Sequence, residues 1–197
     1  MAGDSDLFEL RLRDLVGEIS ARTPAPGGGS VAAIVLTLAA GLTEMAARFA
    51  DGHWAEAGEA VAQASRLRDR AEPLAHRDAE AYAAALEALR HPRGSNPEER
   101  NRLLGEALSR AADVPLEIAS VAADVAALAR DIVVHGNPNL YGDALAGAIL
   151  AEAAARIGAS LVAINLTMAK DDPRVVRAHG LADAAARSVR QAIGSAS

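Results

Sequence analysis

Asp78 is the residue whose position most suggests chemistry. An apolar stripe runs through Leu67, Ala71, Leu74, Tyr82, Ala85 and Leu89, with a gap of eight between Leu74 and Tyr82. Asp78 falls in the middle of that gap, so helical periodicity puts a carboxylate at a core-facing position. A charge buried without a partner costs several kcal/mol, so such a group is paired, protonated or at work. Desolvation raises a carboxyl pKa and suits it to general acid or base catalysis near neutral pH. The same spacing also fits a structural carboxylate that accepts hydrogen bonds from a neighbouring helix.

A second cluster is Thr23-Pro24-Ala25-Pro26-Gly27-Gly28-Gly29-Ser30. Its prolines forbid a helix just before them, and its glycines let another group approach the backbone closely. Ser30 stands where an N-cap is expected, ahead of the apolar run Val31–Leu36. Gly27, Gly28, Gly29 and Ser30 therefore read either as a tight interhelical turn or as a backbone cradle for an anionic or carbonyl-bearing ligand at a helix N-terminus.

Four more polar positions stand out. Asn137 precedes Pro138 and is expected to be extended; Asn139 fits an N-cap, and Asp143 falls in the first turn that follows. The alternative is that these groups line a pocket for a polar heterocycle. Asn165 interrupts the run Leu161-Val162-Ala163-Ile164-Asn165-Leu166, either as a satisfied interhelical amide or as part of a site. The five histidines are scattered, without metal-binding spacing; Asp131 and His135, four apart, read as a surface pair, and no metal site is expected. No phosphate-binding glycine motif is present.

The elements that must carry these residues are helices. An amphipathic segment spans 6–21, with Leu7, Leu10, Leu15 and Ile19 near one face. The second helix, 30–50, has one stripe of Val31, Val35, Leu38, Leu42, Met45 and Phe49 and a more polar one of Thr37, Gly41, Glu44 and Arg48; it is expected to be buried on most sides. A long third helix covers 55–90 with a possible kink at Pro73, and His91–Pro97 forms a loop. Helical segments follow at 98–135, interrupted by Pro115, at about 140–168, and at 173–194 behind an Asp171-Asp172-Pro173 cap.

Composition agrees. The 197 residues suit one domain; 51% are hydrophobic and only 3% aromatic, so the core must be built from Ala, Leu, Val and Ile. The expected class is an all-α, single-domain bundle of about six helices. A net charge of −6 argues against nucleic acid or an anionic membrane surface as partner. With no cysteine, thiol catalysis and disulfides are excluded. The acidic N-terminus lacks signal-peptide character, and the apolar runs 31–43 and 144–151 are short for a membrane span, so a soluble, cytoplasmic protein is expected.

The motifs together resemble a known family. Thr-Pro-Ala-Pro-Gly-Gly-Gly-Ser-Val-Ala-Ala opening an apolar helix is similar to the cyclodeaminase half of formiminotransferase-cyclodeaminase and to bacterial methenyltetrahydrofolate cyclohydrolases. The likeness continues in order through Asp78-Ala79-Glu80-Ala81-Tyr82, Val114-Pro115-Leu116-Glu117-Ile118-Ala119, Gly136-Asn137-Pro138-Asn139 with Asp143, Ala151-Glu152-Ala153-Ala154 and Asn165-Leu166. It covers about residues 7–190 and departs at Gly142, where the family has Ser, and at Asp51–Glu56, where it often has a basic cluster.

The resemblance implies one cyclodeaminase-like helical domain over 1–197, a homodimer, and a tetrahydrofolate substrate with no further cofactor. It implies Asp78 as the catalytic acid/base, the 27–30 turn as backbone cradle, and Asn137, Asn139, Asp143 and Asn165 as pocket lining. The reaction would close 5-formiminotetrahydrofolate to 5,10-methenyltetrahydrofolate and ammonia, or interconvert the methenyl and 10-formyl forms with water. The alternatives are a non-catalytic small-molecule-binding or assembly module and an enzyme for another amidine or cyclic substrate.

Overall fold

The computed structural model describes residues 6–89, 96–167, 169 and 171–195. Every regular element among them is helical: α1 (Leu12–Ser20), α2 (Gly28–Arg48), α3 (Ala57–Ala71), α4 (Leu74–Leu89), α5 (Pro97–Ala111), α6 (Asp113–His135), a 3₁₀ turn (Pro138–Leu140), α7 (Tyr141–Asn165) and α8 (Pro173–Gly194). The six expected segments become eight helices because two of them divide. The 55–90 segment breaks ahead of Leu74, just after Pro73. The 98–135 segment breaks at Ala112, which puts Pro115 in the first turn of α6, where it removes no helical hydrogen bond. Most of the expected loop His91–Pro97 lies outside the described residues. At its end Asn96 caps α5, its side chain accepting from the Glu98 N–H at 3.0 Å. Asp172 caps α8 in the same way, accepting from the Arg174 N–H at 2.9 Å.

The first helix is shorter than its periodicity suggests. The Asp6 carboxylate accepts the Phe8 N–H at 3.0 Å and holds a turn there, so α1 begins only at Leu12. Leu15 is its one buried residue, while Leu7 and Phe8 reach the main core from the preceding turn.

The core lies among α2, α6 and α7, with α3, α4, α5 and α8 packed around them. It is built largely of alanine: Ala32, Ala33, Ala39, Ala40, Ala122, Ala126, Ala151, Ala154 and Ala155 are fully buried. Small side chains let helix axes come close, and two glycines of α7 mark the tightest points. A Cβ at Gly147 would lie 2.8 Å from Thr43 Oγ1, and one at Gly158 would lie 2.6 Å from the Pro115 carbonyl oxygen.

α2 is largely buried, as expected. Its inward residues are small or polar, among them Ser30, Thr37, Thr43 and Glu44. Thr37 and Thr43 satisfy their hydroxyls on carbonyls one turn back, and Glu44 pairs with Arg48 and with Arg68 of α3. The stripe Val31–Phe49 is half-buried except at Leu38 and Phe49, which are 58% and 57% exposed. Ile149, Ile157 and Ile164 of α7 are exposed as well. By length and composition alone, α2 and the 138–165 segment are apolar enough to cross a membrane, because each helix extends well past the short runs 31–43 and 144–151. The two helices pack against each other in the bundle.

Candidate functional site

The N-terminus of α2 is where the site is made. Gly27, not Ser30, is the N-cap residue, and it has no side chain to cap with. Ser30 lies inside the first turn, completely buried. The missing cap is supplied from α4: the Asp78 carboxylate accepts the Ser30 hydroxyl at 3.2 Å and also takes a hydrogen bond from the Ser30 backbone N–H. The first turn of α2 is thereby tied to a residue 48 positions away.

Gly29 is what allows this approach. A Cβ there would stand 2.5 Å from Asp78 Oδ2 and nearer still to Oδ1 and Cγ. No side chain fits beside the carboxylate. At Gly29, then, the group held close to the backbone is the protein's own Asp78. Gly27 and Gly28 have no such neighbour and face a cleft.

That cleft, of about 250 Å³, is lined by the Pro24–Gly29 turn, by Asp78 and Tyr82 one turn apart on α4, by Ala111 and Pro115, and by Leu161, Ile164 and Asn165 at the end of α7. Asn165 donates its Nδ2 to the Ala111 carbonyl at 3.1 Å, closing one of the free carbonyls at the end of α5. Its amide is thus both an interhelical contact and part of the cleft wall. Among the described residues no buried side-chain nitrogen or oxygen lacks a partner.

Two effects compete on Asp78. Burial raises its pKa above the ordinary carboxylate value, and the two hydrogen bonds from Ser30 pull it back; burial prevails. The result is a half-buried carboxylate, ready to take a proton, beside an apolar cleft with a polar end. Such a group can move a proton between two atoms of a bound substrate, or take one from water.

The remaining expected site residues are elsewhere in the protomer. The Asn137 side chain accepts the Asn139 N–H at 2.9 Å and caps the 3₁₀ turn; Asn139 and Asp143 are exposed. Asp143 opens α7 and Asn165 ends it, so about 33 Å of helix separates them. Asn137, Asn139 and Asp143 therefore do not join the Asp78 cleft within one chain. His135 does not pair with Asp131 either: it stacks on Trp54 at 5.7 Å between ring centroids, while Asp131 binds Arg130. Sequence reasoning gave no role to Tyr82, although its position four residues after Asp78 was the available signal. It also did not foresee Ala111, Pro115, Leu161 and Ile164 as cleft walls.

The formiminotransferase-cyclodeaminase family model matches residues 11–183. The chain belongs to that family. It is 32% identical over 178 residues to formimidoyltransferase-cyclodeaminase of Mus musculus, covering 86% of this chain and 33% of the mouse protein. It therefore spans about a third of the length of that relative. It is 30% identical over 155 residues to methenyltetrahydrofolate cyclohydrolase of Methylorubrum extorquens, covering 75% of this chain and 74% of the other. The fold is also that of a solved structure, formiminotetrahydrofolate cyclodeaminase from Thermotoga maritima, with a TM-score of 0.80, 26% identity, and coverage of 94% of this chain and 96% of that one.

Proposed function

We propose that this chain is a folate-converting enzyme acting at the one-carbon unit between N5 and N10, with Asp78 as the proton carrier. The observation that carries the reading is the Asp78 carboxylate, held by Ser30 at the mouth of a cleft and raised in pKa by burial. Membership of the family and the names of its relatives support the choice of substrate.

In the cyclodeaminase direction N10 attacks the formimino carbon of the amidinium form of the substrate. The N10 proton passes to Asp78 and from there to the amino nitrogen. The C–NH₃ bond then breaks, leaving the methenyl cation and ammonia. In the cyclohydrolase direction water adds to the same carbon and gives a proton to Asp78; as the C–N5 bond breaks, N5 takes that proton from Asp78, and the remaining hydroxyl proton leaves to solvent as the 10-formyl carbonyl forms. Both sequences balance on folate, water and one carboxyl group, so no further cofactor enters. The cleft contributes proximity by holding N10 against the one-carbon unit.

The protein acts on this reading as a homodimer, through the outward apolar stripe of α2 and the adjoining isoleucines of α7. Leu38 and Phe49 of α2 and Ile149, Ile157 and Ile164 of α7 are large apolar side chains left exposed in the single chain, and exposed apolar residues in number mark interaction surfaces.

The test is the absorbance of methenyl folate, followed with 5-formimino- and with 5,10-methenyltetrahydrofolate as substrate; which of the two turns over separates lyase from hydrolase. Asp78→Asn is expected to lower kcat by about 10²–10⁴-fold while cooperative thermal unfolding is kept. Undiminished turnover by this variant would overturn the role of Asp78.

A further inference from the structure

The Asp78 cleft is too small for a whole folate. Pockets that enclose a ligand of that size run to roughly 300–1,000 Å³, and this one holds about 250 Å³. The part of the substrate bearing the one-carbon unit must sit at Asp78, so the p-aminobenzoyl-glutamate portion has to continue beyond it.

A second groove, of about 340 Å³, lies on the other side of Ala111, a buried alanine that borders both cavities. It runs between α4 and the α5–α6 junction. Its walls are small, with Ala81, Ala84, Ala107 and Ala111 leaving room, and its charged residues are Arg77, Arg110 and Glu80. Glu80 lies 3.3 Å from His76 Nε2, a pairing that carries charge only with the imidazole protonated, and its carboxylate is exposed. Arg77 gives one nitrogen to Glu117 at 2.8 Å and is 47% exposed. Arg110, in the last turn of α5, makes no hydrogen bond or ion pair among the described residues. Arg110 is solvent-exposed and lines this groove, in a chain whose net charge is −6. Guanidinium groups match carboxylates in a two-pronged geometry.

We propose that this groove seats the glutamate carboxylates of the folate, with Arg110 as the principal cation and Arg77 at its edge. The assignment rests on the folate reading of the Asp78 cleft. It makes the α5–α6 junction the point where the substrate turns from the reacting end to the anionic tail.

The experiment compares KM for a folate substrate with KM for the same substrate truncated at the p-aminobenzoate, in wild type, Arg110→Ala and Arg110→Lys. For Arg110→Ala the ratio of glutamate-bearing to truncated KM is expected to rise roughly tenfold or more, the scale of one charged hydrogen bond. Arg110→Lys should recover part of that rise. Arg102→Ala, at an exposed pair with Glu106 farther along α5, should leave the ratio where it is. The salt dependence of KM should also flatten in Arg110→Ala. A wild type that turns over both substrates, with an Arg110→Ala ratio equal to its own, overturns the tail assignment and leaves the reaction intact. A wild type that neither binds nor converts either substrate overturns the folate reading and this assignment with it.

Discussion

Replacing Gly29 with alanine tests how much the site depends on one missing methyl group. The added Cβ would stand 2.5 Å from Asp78 Oδ2 and closer to the other two carboxyl atoms, whereas ordinary contact begins at 3.4 Å. The carboxyl group must therefore retreat by roughly 1 Å or more, losing its 3.2 Å bond to Ser30. A displacement of that size at a reacting group costs on the order of 10²-fold in rate, or about 3 kcal/mol of barrier.

Stability should change less. Overpacking costs about 1–3 kcal/mol, and alanine returns up to about 1 kcal/mol of helix propensity, so Tm should fall by no more than about 8 °C for a chain of this size. The assay pairs kcat with thermal unfolding for Gly29→Ala, Gly28→Ala and Gly29→Ala on an Asp78→Ala background. Gly28 has no neighbour within 4 Å of its would-be Cβ, so Gly28→Ala should act on KM through the cleft and spare kcat. On the Asp78→Ala background the methyl group meets no carboxylate and its stability cost should vanish. Gly29→Ala with full kcat and unchanged Tm would refute the reasoning.

Ser30→Ala removes a hydrogen bond that favours the ionised carboxylate, so the Asp78 pKa should rise further and the acid limb of the kcat profile should shift to higher pH. The sign for stability follows the same pKa. Because it is raised on folding, the native state holds the proton more tightly, and stability is lost as pH climbs from the ordinary carboxylate value through the raised one. Asp78→Asn should therefore not lower Tm at neutral pH. Leu38→Glu places a charge on the outward stripe of α2 and should turn a dimer into a monomer by light scattering; an unchanged mass would remove that face from the interface.

Much of this was legible in the sequence. The 3.6-residue stripe Leu67–Ala85 located Asp78 correctly, because an interrupted apolar period is a local signal and α3 and α4 continue it across Pro73. Caps such as Asp172 were legible for the same reason. What failed was non-local. Ser30 looks like an N-cap until Asp78 of another helix takes that place. The two stripes of α2 do not by themselves say which faces α6 and α7; alanine and threonine prove to be the residues that let those helices come near. Asn137, Asn139 and Asp143 resemble site residues in a linear motif, yet α7 carries Asp143 a full helix length away from Asn165.

The alanine core leaves this protein with a lopsided tolerance to change. Trimming fully buried positions such as Ala126 or Ala154 removes almost nothing, since only a methyl group is there to lose. Enlarging them forces apart helices already at their closest approach. A variant seeking a larger cleft cannot hollow out the middle of the bundle. It must work at the end of α7, at Leu161 and Ile164 in the cleft wall, where there are side chains large enough to trim.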